Sequence, residues 1–343
     1  MSSLFRPSTP HDLERVQLFL QRAFGSPSGA AFIQPAMMQW KYWDHRGDWQ
    51  EPRSYLLERG GVVTAFAGLW PMSFRNGSET IRGIHMIDWA SAADAPGAGL
   101  VLVQKLSGIF DFILAIGGSA MTRKALPAFG FVEYAQQWHA AVPLRPLRQM
   151  LTHQSRNWKL VARLVRNTLY MTKPAKHDPG WHSAPIEPDQ ILPILYSTDA
   201  HASPRSPEFF YFLSKCPAAS LVLHGIYDPG GLRGHFALTL VRGQARIAGV
   251  WLHNPDGPAW QAAYALARIT AQQMKPACEL VVTGTGDVSG ASAAVAGFRV
   301  RQKTAPVYLL NKKGKLNLPS DFQFQLCDDD EAFLDTGSEV YST

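Results

Sequence analysis

The sequence predicts a mixed α/β protein in which one arrangement of strands and helices is used twice, and three observations carry that expectation. Apolar residues alternate along the chain between the two-residue period of strands and the 3.6-residue period of helices. A glycine-bearing turn, Pro96-Gly97-Ala98-Gly99, joins an apolar strand (Ile84 to Ala90) to a helix on which Leu102, Leu106, Ile109 and Ile113 recur at helical spacing. The 41 positions from Trp89 to Gly130 are echoed by the 46 from Trp251 to Gly297.

The composition fits this reading. The 343 residues, 46% hydrophobic and 17% charged, are enough for two cores. No apolar run nears the ~20 residues of a membrane helix and the opening Met-Ser-Ser-Leu-Phe-Arg-Pro has no hydrophobic signal core, so a cytoplasmic protein is expected. Cys216, Cys278 and Cys327 show neither CxxC nor Cys/His spacing, which gives no reason to expect disulfides or a metal.

In the first half, Leu4 to Arg6 reads as a short strand. Thr9 as N-cap, Pro10 at the first helical position and Asp12 then open a helix with Leu13, Val16, Leu20 and Phe24 on one face. Met38, Trp40, Tyr42 and Trp43, with Lys41 and Arg46 interleaved, read as core or cleft wall. Hairpins follow at Gly60-Gly61 and Asn76-Gly77, dipeptides that supply positive φ angles, so an antiparallel meander feeds the strand before the glycine turn. After that turn and its helix, Phe112 to Ile116 reads as a strand buried on both faces and parallel to its predecessor. A short helix, Thr122 to Ala128, closes on Phe129-Gly130-Phe131 before a last strand through Trp138 to Val142.

The second half repeats this order. Pro185 to Tyr196 gives a poorer strand-helix start, and Phe209 to Phe212 stand where the first half has its aromatic cluster. Strands Ser220 to Tyr227, Leu232 to Val241 and Ala245 to His253 precede a helix from Trp260 to Met274. The strand Cys278 to Thr283 follows, then Gly297-Phe298 ahead of Val307 to Leu310.

Charge is unevenly placed against a net of +6 and a pI near 9.2. Residues 144 to 180 hold eight basic residues (Arg145, Arg148, Arg156, Lys159, Arg163, Arg166, Lys173, Lys176) and one acid, Asp178. Leu160, Leu164, Val161 and Leu169 make part of this stretch a basic amphipathic helix. It reads first as a solvated connector and second as a patch for an anionic ligand or membrane surface. No nucleic-acid recognition motif accompanies the charge. The tail has the opposite sign, Asp328-Asp329-Asp330-Glu331, and is expected to pair with the connector or to be solvated. The boundaries that result are 1–143, a connector 144–183, a second unit 184–312 and an acidic tail 313–343.

A strand-helix start, a meander, a glycine turn opening a helix, a parallel strand and a helix closing on Gly-Phe resembles the GNAT superfamily of acyl-CoA-dependent N-acyltransferases. The first half looks like a GNAT domain and the second like a degenerate copy, an arrangement similar to the tandem-GNAT and FemAB-like proteins. The resemblance rests on Asp94-Ala95-Pro96-Gly97-Ala98-Gly99, against the family's Gln/Arg-x-x-Gly-x-Gly/Ala, and on Ala125 to Phe131, against its Tyr-x-x-x-Gly-Phe. Two departures stand out: Asp94 replaces the leading Gln/Arg, and Leu126 replaces the tyrosine.

The resemblance implies acetyl-CoA or another acyl-CoA as donor substrate, with its pyrophosphate over the N–H groups of Gly97, Ala98, Gly99 and Leu100. The pantetheine would run along the strand end at Trp89, Ala90 and Ser91. It also implies direct attack on the thioester by a small-molecule amine, an amino sugar for example, with some base taking a proton. Asp88 and His85 are the candidate bases. Simple strand alternation points them to opposite faces unless a bulge intervenes. Ser119 is a candidate proton donor and His139 a further base candidate. The second half's loop, Asn254 to Trp260, lacks Gly-x-Gly and contains Pro258, so no cofactor is expected there. The competing readings are aminoacyl transfer from tRNA in FemAB fashion, in which the basic stretch would contact RNA, and a non-catalytic GNAT-fold scaffold.

Overall fold

A computed structural model describes residues 3–76, 79–152, 158–191, 205–316, 318, 322–335 and 341–343. The Gly77 turn position, Arg156 and positions 192–196 of the expected second-half helix lie outside the described residues.

The first half runs β1 (Leu4–Pro7), α1 (Leu13–Phe24), α2 (Pro35–Met38), a π-helical turn (Gln39–Trp43), β2 (Ser54–Arg59), β3 (Val62–Asn76) and β4 (Glu79–Ser91). It continues with α3 (Ala98–Ile109), β5 (Phe112–Ile116), α4 (Ala120–Ala125) and β6 (Val132–Pro143). Two connector helices follow, α5 (Pro146–Leu151) and α6 (Trp158–Met171). The second half supplies β7 (His182–Pro185), α7 (Pro207–Ser214), β8 (Ser220–Asp228), β9 (Gly231–Val241), β10 (Gln244–Leu252), α8 (Gly257–Gln273), β11 (Glu279–Gly284), α9 (Asp287–Val295) and β12 (Arg299–Leu310).

Local chemistry explains the boundaries. At the first helix, the Asp12 carboxylate accepts the Thr9 N–H at 2.9 Å, and Gly25 ends α1 in the left-handed conformation. The helix after the glycine turn stops at Ile109, so Ile113, expected on its apolar face, belongs to β5. Gly130 and Gly297, at φ +86° and +91°, end the short helical segments that precede β6 and β12.

All twelve strands form one sheet in the order β1-β2-β3-β4-β5-β12-β6-β11-β10-β9-β8-β7. Read inward from either edge, each half contributes five strands in sequence order and then receives the last strand of the other. β12 pairs with β5, and β6 pairs with β11, antiparallel in both cases. The equivalent pairs β4–β5 and β10–β11 are parallel. The repeat is therefore present at the level of topology, and each half completes the other's sheet. The boundary at residue 143 falls immediately after β6, a strand that lies on the second half's side of β12.

The largest core lies between the halves. Trp40, Trp70, Phe209, Phe210, Phe212 and Phe333 are buried there together. Trp40 stacks on Phe212 at 5.0 Å and gives its indole N–H to the Phe212 carbonyl, and Trp70 gives its own to the Cys327 carbonyl. Asp328 and Asp330 of the acidic run are thus buried in the core, while Glu331 is exposed. Residues 326–334 thread through this core because Phe333 needs burial, and they take Asp328 and Asp330 in with them.

The connector's charge has a partly structural use. Arg145 and Arg148 give guanidinium N–H bonds to the carbonyls of Gln272, Met274 and Lys275, around the C-terminal end of α8, where a helix end carries partial negative charge. A fragment comprising residues 1–143 lacks β12 and leaves the β5 edge open. It is expected to be aggregated or unfolded by size exclusion and circular dichroism, whereas a folded monomer would show that the strand exchange is dispensable.

Candidate functional site

β4 pairs with β5 only from Gly83 to His85, and beyond that point the two strands part. The mouth of the split lies between the end of β4 and the glycine turns that follow β5, Gly117 and Gly118.

At this point β4 has a bulge. Ile87 faces Gly68 and Ala90 faces Phe66, so Asp88 and Trp89 together oppose a single residue of β3. Asp88 sits at φ +49°, one of two non-glycine residues with positive φ among those described. The left-handed conformation costs energy in a residue with a Cβ and persists only where the surroundings hold it. The bulge turns Asp88 onto the face of Ile87 and Tyr42 and leaves Trp89 packed with the α3 core. The alternation that separates Asp88 from His85 is thereby broken.

Three groups hold Asp88. The Tyr42 hydroxyl donates to Oδ2 at 2.5 Å, the Lys41 ammonium bonds the same oxygen, and Lys41 Nζ bonds Asp330 Oδ2 at 3.0 Å. Lys41 and Tyr42 both reach inward because they lie on the π-helical turn, a wide turn that recurs at functional sites. Gly68 makes room for the tyrosine, since a Cβ there would come within 2.6 Å of its ring. Asp88 Oδ1 receives no bond from the described residues. Its side chain is 12% exposed, against 0% for Lys41 and 8% for Asp330, so Asp88 is the most accessible of the three charged groups.

Burial governs the protonation of this cluster. Desolvation raises the Asp88 carboxyl against the opposing pull of Lys41, and it pushes Asp330 up to about 7, with Asp329 adding to the rise. Burial disfavours the Lys41 ammonium, but Asp88 and Asp330 overcome that effect and its pKa is raised. Tyr42 is held protonated by burial and by Asp88. Lys41 therefore stays an ammonium between two carboxyls that burial makes easier to protonate, Asp330 being the one pushed to about 7.

The other predicted residues take different places. His85 is buried and both ring nitrogens are used. Nε2 accepts the Ile116 N–H at 3.3 Å, which assigns the proton to Nδ1 opposite the Asp328 carbonyl at 3.1 Å. Burial lowers its pKa to about 4. His85 therefore bridges β5 and the C-terminal segment at the base of the split. Ser119 caps α4, its hydroxyl accepting the Thr122 N–H at 3.1 Å. His139 lies on β6, two strands beyond β5, opposite Thr283 Oγ1. Leu126 is wholly buried. No group of three or more His, Cys, Asp or Glu among the described residues is arranged to hold a metal.

The glycine turn opens α3 as expected. Gly97, at φ +82°, is the N-cap, and its Cα faces open space. Gly99 lies against Trp89 and Ser91, where a Cβ would meet the indole at 3.3 Å. Of the four amides expected to hold a pyrophosphate, Ala98 donates to Ala95 and Leu100 to Gly97. Gly97 and Gly99 remain as the donors without a backbone acceptor among the described residues. The indole N–H of Trp89 is buried and has no partner among them either. At the equivalent junction of the second half, the Asp256 carboxylate accepts the Ala259 N–H at 2.8 Å and fills the helix start with the chain's own anion.

No protein-family model matches the sequence, and no curated protein matches it. Solved structures do. A GCN5-related N-acetyltransferase from Anabaena variabilis ATCC 29413 is similar over 90% of this chain and 73% of its own, with a TM-score of 0.57 at 12% identity. The Saccharomyces cerevisiae N-myristoyltransferase with bound myristoyl-CoA is similar over 90% and 83%, also with a TM-score of 0.57 at 12% identity. A GCN5-related N-acetyltransferase from Sphaerobacter thermophilus is similar over 90% and 95%, with a TM-score of 0.51 at 10% identity.

The chain has the GNAT fold. Within that fold, the split, the bulge and the glycine turn belong to the first half. Lys41 and Tyr42, read from sequence as wall, join Asp88. Asp330 was hidden in a run that reads as a solvated tail, and the signal for it was Phe333-Leu334 directly after the acids.

The raised Asp330 carboxyl makes stability depend on pH. Between the ordinary aspartate pKa and about 7, folded Asp330 keeps a proton that the unfolded chain loses, so its contribution is full below pH ~4 and disappears as pH rises through 7. Buried His85 and His235, lowered to about 4 and about 3, give the opposite slope, so the comparison must be made at matched pH. The stability of wild type relative to Asp330→Asn, from urea unfolding, should fall by roughly 3 kcal/mol between pH 4.5 and 7.5. A difference independent of pH would refute the assignment.

Proposed function

We propose that this protein is an acyl-CoA-dependent N-acyltransferase whose donor occupies the first half, with acetyl-CoA the simplest candidate and a small primary amine as acceptor. The observation that carries the reading is the split between β4 and β5, with a strained, buried carboxylate on one lip and a glycine turn at its end. The GNAT-fold neighbours support the class of reaction.

The residues present suit such a donor. The Gly97 and Gly99 amides and the Trp89 indole are unsatisfied donors beside one helix start, whose partial positive charge suits a pyrophosphate. Asp94 adds opposing charge there. Acyl-CoA supplies an activated acyl thioester. Asp88 Oδ1 takes a proton from the incoming ammonium, and Lys41, Tyr42 and Asp330 hold the carboxylate in place and spread the charge change. The C–N bond forms as the C–S bond breaks, and the second proton that the nitrogen loses passes to the departing thiolate through solvent. A thiol is acidic enough to leave as thiolate, so the buried Leu126 in place of the family's tyrosine removes an aid to departure and leaves the route open.

Calorimetry with acetyl-CoA and longer acyl-CoAs is expected to show binding by wild type and at least tenfold weaker binding by Gly97→Glu, which places a carboxylate at the helix start. Absence of binding by wild type to any acyl-CoA overturns the proposal. Binding without turnover on a panel of amines would favour a non-catalytic role.

Asp88→Asn should lower kcat by roughly 10²-fold or more and flatten the rise of activity with pH, with acyl-CoA binding retained. An unchanged pH profile in that variant would remove Asp88 as the base.

A further inference from the structure

The connector helix α6 carries two apolar faces. Leu160, Leu164 and Asn167 turn inward against α5, and Asn167, 3% exposed, gives its amide N–H groups to Gln149 and Thr343. These bonds fix the rotation of the helix. The consequence is a second stripe facing outward: Trp158, Val161, Val165 and Leu169 follow the i, i+3, i+7, i+11 pattern and are 75, 59, 56 and 67% exposed. Of the four apolar residues that mark this helix as amphipathic in the sequence, Leu160 and Leu164 face inward and the less regularly spaced Val161 and Leu169 face outward. On adjoining α5, Leu147 and Leu151 are exposed as well.

Beside the stripe lie the exposed Lys159 and Arg166, the latter also donating to Asn167 Oδ1 at 3.0 Å, while Arg163 sits with Leu160 and Leu164 on the α5 side; no acidic residue occurs between positions 144 and 177. Arg299 and Arg301 of β12 stand close enough for mutual repulsion to lower the pKa of Arg166 and Arg301, alongside the larger effect of burial. The acid that Arg301 feels, Glu279, is itself buried and bonded by Gln244 and Thr343.

We propose that the outer face of α6 is a docking surface for an anionic lipid bilayer, with the apolar stripe entering the headgroup boundary and the flanking cations meeting lipid phosphates. Several features favour this occupant. An apolar stripe ending in tryptophan and flanked on one side by cations is the pattern of a helix lying in a membrane interface. At 14 residues, ~21 Å, α6 is too short to span a bilayer, and no helix among the described residues is long and apolar enough to do so. A second copy is disfavoured because a twofold contact would set one cationic patch against another.

Flotation of the full-length protein with phosphatidylcholine vesicles and with 3:1 phosphatidylcholine:phosphatidylglycerol vesicles tests this. Wild type should bind the anionic vesicles alone and be released by 0.5 M salt. Val165→Glu with Leu169→Glu should lose binding at least tenfold. Lys159→Gln with Arg166→Gln should lose about fivefold per cation removed; Val165, Leu169 and Lys159 are exposed, whereas Arg166 also bonds Asn167 Oδ1, so acyl-CoA binding and Tm serve as controls for folding. Failure of wild type to bind anionic vesicles, equal binding of the Val165→Glu/Leu169→Glu variant, or a concentration-dependent dimer dispersed by that variant without vesicle binding would each overturn the proposal.

Discussion

The buried ammonium of Lys41 is the constraint around which the centre of the molecule is arranged. A lysine with no exposure is tolerated only if carboxylates compensate it, and here two arrive from opposite ends of the chain. Asp88 reaches it because β4 bulges and accepts a positive φ, and Asp330 because the C-terminal segment crosses the core between the halves. Each adjustment is costly alone. Together they give a partly exposed carboxylate with one free oxygen at the point where two parallel strands separate.

The strand exchange gives that arrangement its rigidity. With β12 between β5 and β6 and β6 beside β11, neither half can move away without breaking three ladders, and the split between β4 and β5 is braced from outside. The two halves share topology and differ in chemistry. Among the described residues, the first presents amides without a backbone acceptor and an unpartnered indole at its glycine turn, while the second closes the equivalent position with Asp256. β10 has a bulge of its own at Ala248 but places no titratable group there. The second half instead contributes bulk: Phe209, Phe210 and Phe212 wall the core against which Lys41 and Tyr42 are pressed.

The segment between the halves divides its charges by location. Arg145 and Arg148 are spent on carbonyls around the end of α8, and Asn167 orients α6. That helix keeps an apolar stripe that nothing among the described residues covers. The basic stretch is thus put to several uses: Arg145 and Arg148 bond backbone carbonyls, Arg163 lies at the α5 side of α6, Arg166 bonds Asn167 Oδ1, and Lys159 borders the stripe.

The sequence by itself determined the order of elements, the glycine turn, the two Gly-Phe closures and the repeat, because each follows from local rules: period, capping and positive φ. It pointed to Asp88 as well, since an acid in an apolar strand needs a reason. Tertiary structure alone decided which way Asp88 faces, because a bulge is set by pairing with β3 and leaves no mark on alternation. It decided that Lys41 is buried, that His85 spends both nitrogens bridging β5 and the C-terminal segment, and that the halves trade their last strands. It also brought in Asp330, 242 positions from Asp88, for a physical reason no local pattern expresses: a buried cation must find its counter-charges wherever in the chain they lie.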